Sequence, residues 1–211
     1  MDNILEKVKE ARAGAKKRKF EQTWDFFINL KKIDLKRPEN RFNFSFVLPN
    51  GSGKQMKVAV FADTITEEAK KHADLVITKQ EIESLASHKK KVKNLVDEYD
   101  WFFGEVTVMA LIGKTLGTVM GPRGKVPKPI PPRTKLEPVI QSAKNSVRIL
   151  IKDNPVVHVQ IGKENMGDES IAANAEAVLQ AVKEKLPKGW ENIKSAHVKL
   201  TMGKPVKINV R

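Results

Sequence analysis

The feature that most constrains this chain is where its apolar residues change period. From Arg41 to Leu48 the residues Phe42, Phe44, Phe46 and Leu48 alternate with Asn43, Ser45 and Val47. That is the signature of a half-buried strand. Pro49-Asn50-Gly51-Ser52-Gly53 follows as a turn cluster. Lys54 to Ala62, with Met56, Val58 and Val60 on one face, reads as the return strand of a hairpin. The other end of the chain has the same character. Val156 to Ile161 reads as a strand. Ser170 to Leu186 reads as a helix with Ile171, Ala175, Val178, Leu179 and Val182 on one stripe, stopped by Pro187 and Gly189. Ser195 to Met202 alternates again, Gly203-Lys204-Pro205 turns the chain, and Val206 to Val210 closes it. Before the hairpin, residues 2–13 carry Ile4, Leu5, Val8 and Ala11 at helical spacing. Phe20 to Leu30, with Trp24, Phe27, Ile28 and Leu30, reads as a second helix.

The middle is different. Short apolar strands (Asp74–Ile77, Trp101–Phe103, Val147–Ile151) alternate with helical stretches (Thr66–His72, Lys79–Tyr99 with a break, Val106–Leu116, Leu136–Lys144). Such alternation predicts βαβ units around a covered, mostly parallel sheet. Each terminal piece is only about sixty residues, a marginal size for an independent core. The economical arrangement joins both ends into one split α+β domain, residues 1–63 with 155–211. An α/β domain, residues 64–154, is inserted between them. Two adjacent linkers near Asp63 and Asn154-Pro155 then make a hinge.

Charge narrows the function. The 211 residues include 39 Lys+Arg against 25 Asp+Glu, a net charge of +14. A surplus of that size calls for a polyanionic partner, nucleic acid by default and an anionic membrane surface as competitor. Seven basic residues and one acid lie between Lys7 and Lys19, and six basic residues and no acid between Gly113 and Lys135. There is no cysteine, which excludes disulfides, zinc–cysteine sites and thiol catalysis and suits a reducing, cytoplasmic setting. The longest apolar runs, such as Val106–Ile112, are too short to span a bilayer, and Met1-Asp2-Asn3-Ile4 lacks the character of a signal peptide.

Three stretches carry candidate chemistry. Lys16-Lys17-Arg18-Lys19-Phe20-Glu21-Gln22-Thr23 offers cations for phosphates and an aromatic ring for stacking on a base or ribose. On a helix, Thr23 would share a face with Phe20. Read without a partner, the same stretch is a solvated basic turn with Phe20 in the core. The run from Gly113 to Lys125, continued by Val126-Pro127-Lys128, supplies glycines and the cations Lys114, Arg123, Lys125 and Lys128. Its Gly-Lys-Thr suggests a phosphate-binding loop, but that motif needs another glycine five residues before the glycine of the Gly-Lys pair, and Val108 stands there. The third stretch, Thr201-Met202-Gly203-Lys204-Pro205, is a hairpin tip. Turn chemistry alone explains its glycine and proline. As a site it would offer RNA a hydroxyl, a thioether and an exposed backbone.

Catalytic constellations are poor. His72, His88, His158 and His197 have no metal-ligand spacing, and His158 reads as a sheet residue. The carboxylate pairs sit at helix ends or on lysine-bearing faces. Lys89-Lys90-Lys91 and Lys93 form a basic run whose apolar neighbours lack the Trp and Phe of interfacial anchors. No cofactor is expected, and an enzyme using the Gly-Lys-Thr stretch stays as the alternative.

In order along the chain, "RFNFSFVLPNGSGKQMKVAVFA", "GKTLGTVMGPRGKVPKP" and "VKLTMGKPVKI" resemble the L-one family of large-subunit ribosomal proteins over essentially the whole length. "KKRKFEQTWDFFINL" and the lysine-rich central helix are most like archaeal members. The resemblance implies two domains, the second a three-layer Rossmann-like insertion in the first. It implies a cytoplasmic, non-enzymatic ribosome constituent, monomeric when free. It also implies binding to large-subunit rRNA at the mobile lateral stalk, assistance in releasing deacylated tRNA from the exit site, and repression of translation through the protein's own mRNA leader. The RNA contacts it carries over fall on Lys19, Phe20 and Thr23, on Gly162 and Lys163, and on Thr201, Met202 and Gly203. The bacterial pattern has proline directly after the tip glycine. Here Lys204 intervenes and is expected to take over a phosphate contact.

Overall fold

The computed structural model describes residues 2–86, 88–131 and 134–209. In chain order it has α1 (Asp2–Ala13), β1 (Thr23–Leu30), β2 (Phe42–Val47), β3 (Val58–Ala62), α2 (Thr66–His72), β4 (Leu75–Thr78), α3 (Lys79–Ala86) and α4 (Lys89–Glu98). Then come β5 (Trp101–Glu105), α5 (Val106–Thr115), α6 (Gly117–Met120), β6 (Lys128–Ile130), α7 (Leu136–Lys144) and β7 (Ser146–Ile151). β8 (Val156–Lys163), α8 (Asp168–Lys185), β9 (Ile193–Leu200) and β10 (Val206–Ile208) end the chain. The chain divides into two compact units, Met1–Lys54 with Asn145–Arg211, and Gln55–Lys144.

The first unit is built on an antiparallel sheet in the order β10-β9-β1-β8. Strict alternation in β1 buries Trp24, Phe26, Ile28 and Leu30 and leaves Thr23, Asp25, Phe27 and Asn29 half-exposed on the opposite face. The buried face meets α8 through Ile171, Ala175, Val178 and Val182, and α1 through Ile4, Val8 and Ala11. The N-terminal helix is therefore part of this core. Arg12 fastens it further, donating from Nε to Asp168 at 2.6 Å and from its two terminal nitrogens to the Glu164 and Met166 carbonyls at 2.7 and 2.8 Å. A two-stranded arm, β2 paired antiparallel with β7, runs from Phe42↔Ile151 to Val47↔Ser146 and packs on the same core. Fully buried Asn174 holds the turn after β2. Its amide donates to the Gly51 and Ile161 carbonyls at 2.9 and 2.8 Å and accepts from the Asn50 N–H at 3.1 Å.

The second unit is a parallel sheet in the order β4-β3-β5-β6. Val58, Val60 and Ala62 face α2 and α7; Ala59 and Phe61 face the core shared with α3, α4, α5 and α6. This is the covered, parallel sheet expected from the alternating pattern, in the three layers that the family resemblance implies, and all five residues of β3 are buried, as a strand covered on both faces requires.

Three sequence expectations are corrected. Phe20 to Leu30 is not a helix: Thr23–Leu30 is the central strand β1. Trp24, Phe27 and Ile28 satisfy helical spacing, but Trp24, Phe26, Ile28 and Leu30 also satisfy a period of two, and neighbours on both sides select it. The hairpin of Arg41–Leu48 with Lys54–Ala62 does not form. β2 pairs with the distant β7, and β3 is central in the other sheet. Its sequence, VAVFA, is the continuous apolar run of a parallel strand rather than the alternation of a hairpin arm. The unit limits therefore move: β3 belongs to the second unit and β7 to the first, against the expected limits at 63 and 154.

Candidate nucleic-acid interface

Strands β1 and β9 are antiparallel, so the start of one lies beside the end of the other, with Trp24 opposite Leu200. One step outward, Thr23 meets Thr201. The Thr201 N–H donates to the Thr23 carbonyl at 3.0 Å. The Thr201 hydroxyl donates to that same carbonyl at 3.1 Å and accepts the Thr23 N–H at 3.1 Å. Buried Gln22 extends the seam, its side-chain oxygen accepting the Met202 N–H at 3.1 Å. Gln22 also exchanges bonds with Glu164, giving its N–H to the carboxylate at 3.1 Å and receiving the Glu164 N–H at 2.9 Å. Three segments far apart in sequence are thus tied into one sheet end.

Around this seam the exposed groups are Phe20 (53% exposed) and Met202 (58% exposed), with Lys19 and Lys204 also exposed. Large apolar side chains left in water beside lysines make a surface suited to bases, riboses and phosphates. The Lys199 ammonium donates to the Thr201 carbonyl at 3.0 Å and stiffens the tip, and the Gly203 N–H closes the turn on the Leu200 carbonyl at 2.8 Å.

Two predicted residues have other duties. Lys163 lies 3.8 Å from the Glu21 carboxylate and is partly neutralised. Gly162 is buried opposite Trp24, and a Cβ there would fall 2.3 Å from Ile171 Cδ1 and 2.9 Å from Met166 Sδ. Glycine is required because α8 and the 163–167 loop press onto the strand. Thr23 and Phe20 are not on one helical face, since Thr23 opens a strand.

Sequence reasoning missed the open face of this sheet. Phe27, His158, His197 and Lys199 share it, with Phe27 edge-on to His158 at 5.1 Å and the Lys199 ammonium 6.0 Å from the Phe27 ring centre. The alternation of β1 was the available signal; reading that segment as a helix hid it. Burial holds His197 below its usual pKa, helped by the charge of Lys207. Burial likewise raises Asp25, against the opposing charges of Lys199 and His158.

The second-unit cations do not form one free cluster. Lys125 donates to the Val96 and Tyr99 carbonyls at 2.6 and 2.7 Å, capping α4. Arg123 pairs with Asp97 at 3.1 Å, and the Lys128 ammonium sits 4.3 Å above the Trp101 ring centre. Lys114 is exposed in the last turn of α5. Gly113-Lys114-Thr115 therefore ends a helix, and the Thr115 hydroxyl bonds back to the Leu111 carbonyl at 2.8 Å. A phosphate-binding loop needs the opposite polarity, with its amides opening a helix. Among the described residues no His, Asp or Glu cluster could hold a metal ion, and no helix is long and apolar enough to cross a membrane.

The chain matches a family model described as "Ribosomal protein L1p/L10e family" over residues 8–204. A protein named large ribosomal subunit protein uL1 from Methanothermococcus thermolithotrophicus is 47% identical over 98% of both chains. Proteins of the same name from Pyrococcus abyssi and Thermococcus kodakarensis are 48% and 47% identical, each over 97% of this chain and 94% and 96% of their own. With a family match spanning both units and archaeal relatives aligned nearly end to end, the chain belongs to the ribosomal protein L1p/L10e family.

Proposed function

We propose that the chain is a structural constituent of the large ribosomal subunit whose first unit grips a folded segment of rRNA at the mobile lateral stalk. The seam between Thr23 and Thr201 carries this reading, because it gathers Phe20, Met202, Lys19 and Lys204 from both chain ends onto one sheet end. Rigid backbone and aromatic groups recognise the shape of the RNA, and the lysines supply the salt-dependent part of the affinity. The open sheet face, with Phe27, His158 and Lys199, extends the platform. Three finer roles rest on the family resemblance: binding of a similar fold in the protein's own mRNA leader, repression of its translation, and assistance in releasing exit-site tRNA.

The test is binding to a stalk rRNA fragment against an unrelated RNA of equal length. Met202→Ala, which removes an exposed side chain, is expected to weaken specific binding at least fivefold. Lys128→Gln, at a lysine already stacked on Trp101, is expected to change it less than twofold. The reverse order overturns the site assignment, and equal affinity for both RNAs overturns the reading.

A further inference from the structure

At the far end of the same sheet lies a second basic feature that the family resemblance did not single out. A cavity of about 400 Å³ has Lys31, Lys194, Lys207, Trp190, Ser195 and Asn209 in its lining. Among the described residues none of the three lysines is ion-paired, although salt bridges elsewhere in this unit engage Lys7, Arg12 and Lys163. Three like charges around one concavity repel each other unless an anion sits between them.

The backbone has been shaped to place them. Asn29 pairs with Ser195 and Leu30 with Ile193, so Lys194 is the extra residue of a β-bulge and is exposed. Bulges of this kind re-aim a side chain at a sheet edge. Lys31 leads into Lys32, a non-glycine residue in the left-handed region at φ 55°. That turn is held by buried Asn192, whose amide donates to the Lys31 and Lys32 carbonyls at 3.2 and 3.4 Å, while the Lys31 N–H donates to the Asn192 carbonyl at 2.8 Å. Asn192 also accepts the Lys188 N–H at 2.8 Å, fixing the turn that carries Trp190. The Lys183 ammonium covers the Trp190 ring at 4.9 Å and adds a fourth positive charge nearby. Lys207 pairs in register with His197 and so shares the open face.

We infer that this cavity is a preorganised phosphate site for the RNA backbone, so that one RNA is held at both ends of the sheet. Strand β9 runs from Ile193 at the cavity to Leu200 at the Thr201 tip, about 24 Å at ~3.4 Å per residue. The open face carrying Phe27, His158 and His197 lies between the two ends. RNA is the occupant because a polynucleotide backbone offers a run of phosphates along this path and the seam at the other end of the sheet is the surface read as gripping rRNA. The inference rests on the rRNA-binding reading.

The experiment measures affinity for the stalk rRNA fragment across a salt series. It uses the full chain, the triple variant Lys31→Gln/Lys194→Gln/Lys207→Gln and, separately, Met202→Ala. All three lysines are surface groups, and matching thermal melts confirm the fold. Loss of three phosphate contacts is expected to lower the slope of log affinity against log salt by about 2–3 and to weaken binding at least tenfold at ~0.1 M salt. Met202→Ala is expected to leave the slope unchanged. If the triple variant keeps the parent slope and affinity while Met202→Ala still loses binding, the phosphate site is wrong and the rRNA reading stands. If the parent chain itself does not prefer the stalk fragment, both fall.

Discussion

Replacing Thr201 by valine keeps the shape of the side chain and removes one hydroxyl, and the geometry of the seam decides what that costs. The hydroxyl satisfies both the carbonyl and the N–H of Thr23, each at 3.1 Å. The backbone bond from the Thr201 N–H at 3.0 Å survives the substitution. Thr201 is exposed and Thr23 half-exposed, so in the free protein water replaces the lost partner. The stability loss is then about 0.5–1 kcal/mol, within the net worth of one hydrogen bond. Bound RNA changes that balance. With water excluded at the seam, the Thr23 N–H loses the Thr201 hydroxyl and nothing replaces it, and the cost rises to about 1–3 kcal/mol. At ~1.4 kcal/mol per tenfold this is roughly a 5- to 150-fold loss of affinity. Valine should therefore weaken rRNA binding far more than it lowers the melting temperature, and Thr201→Ser should restore both. Fluorescence-anisotropy titration beside a thermal melt separates the two effects. Unchanged affinity in the valine variant, or a serine variant no better than valine, would refute the reasoning.

Gly162→Ala places a methyl 2.3 Å from Ile171 Cδ1 and should cost about 1–3 kcal/mol of first-unit stability through overpacking, read by urea unfolding. Arg12→Ala removes three donated bonds, one of them to the Asp168 carboxylate, and should cost about 2–3 kcal/mol, with faster hydrogen exchange in α1. In the second unit, burial of Glu105 raises its pKa, but bonds from the Thr64 hydroxyl and the Asp63 and Thr64 N–H groups outweigh it and hold the carboxyl below its ordinary 4.5. A depressed folded value means that stability is fully present above 4.5 and lost as pH falls through the lower folded value. Acid titration of the second-unit melt should show that loss, and Glu105→Gln should flatten it.

The inserted α/β layer was legible because its strands and helices carry different periods in sequence: Thr66–His72 and Leu136–Lys144 were expected as helices and are helices to the residue. The helix α8 was legible for the same reason, its apolar stripe bounded by Pro187 and Gly189. Strand partners were not legible. Nothing local to Phe42–Val47 says that it pairs with Ser146–Ile151 a hundred residues on, because pairing is settled by which faces need burial once the core assembles. The tip at Thr201 and the aromatic Phe20 could be named from sequence, yet not their bond network: Gln22 carries no signal of its buried link to Met202. Nor does charge count in the second unit reveal that two carbonyls already hold the Lys125 ammonium and that an aromatic ring already lies under that of Lys128.

Photo-crosslinking of the chain on its ribosomal RNA, with the attached peptides identified by mass spectrometry, addresses the composite surface directly. Peptides holding Phe20 and Met202 should both crosslink, and to the same rRNA element. Crosslinks confined to residues 114–128, with neither end of the chain attached, would contradict it.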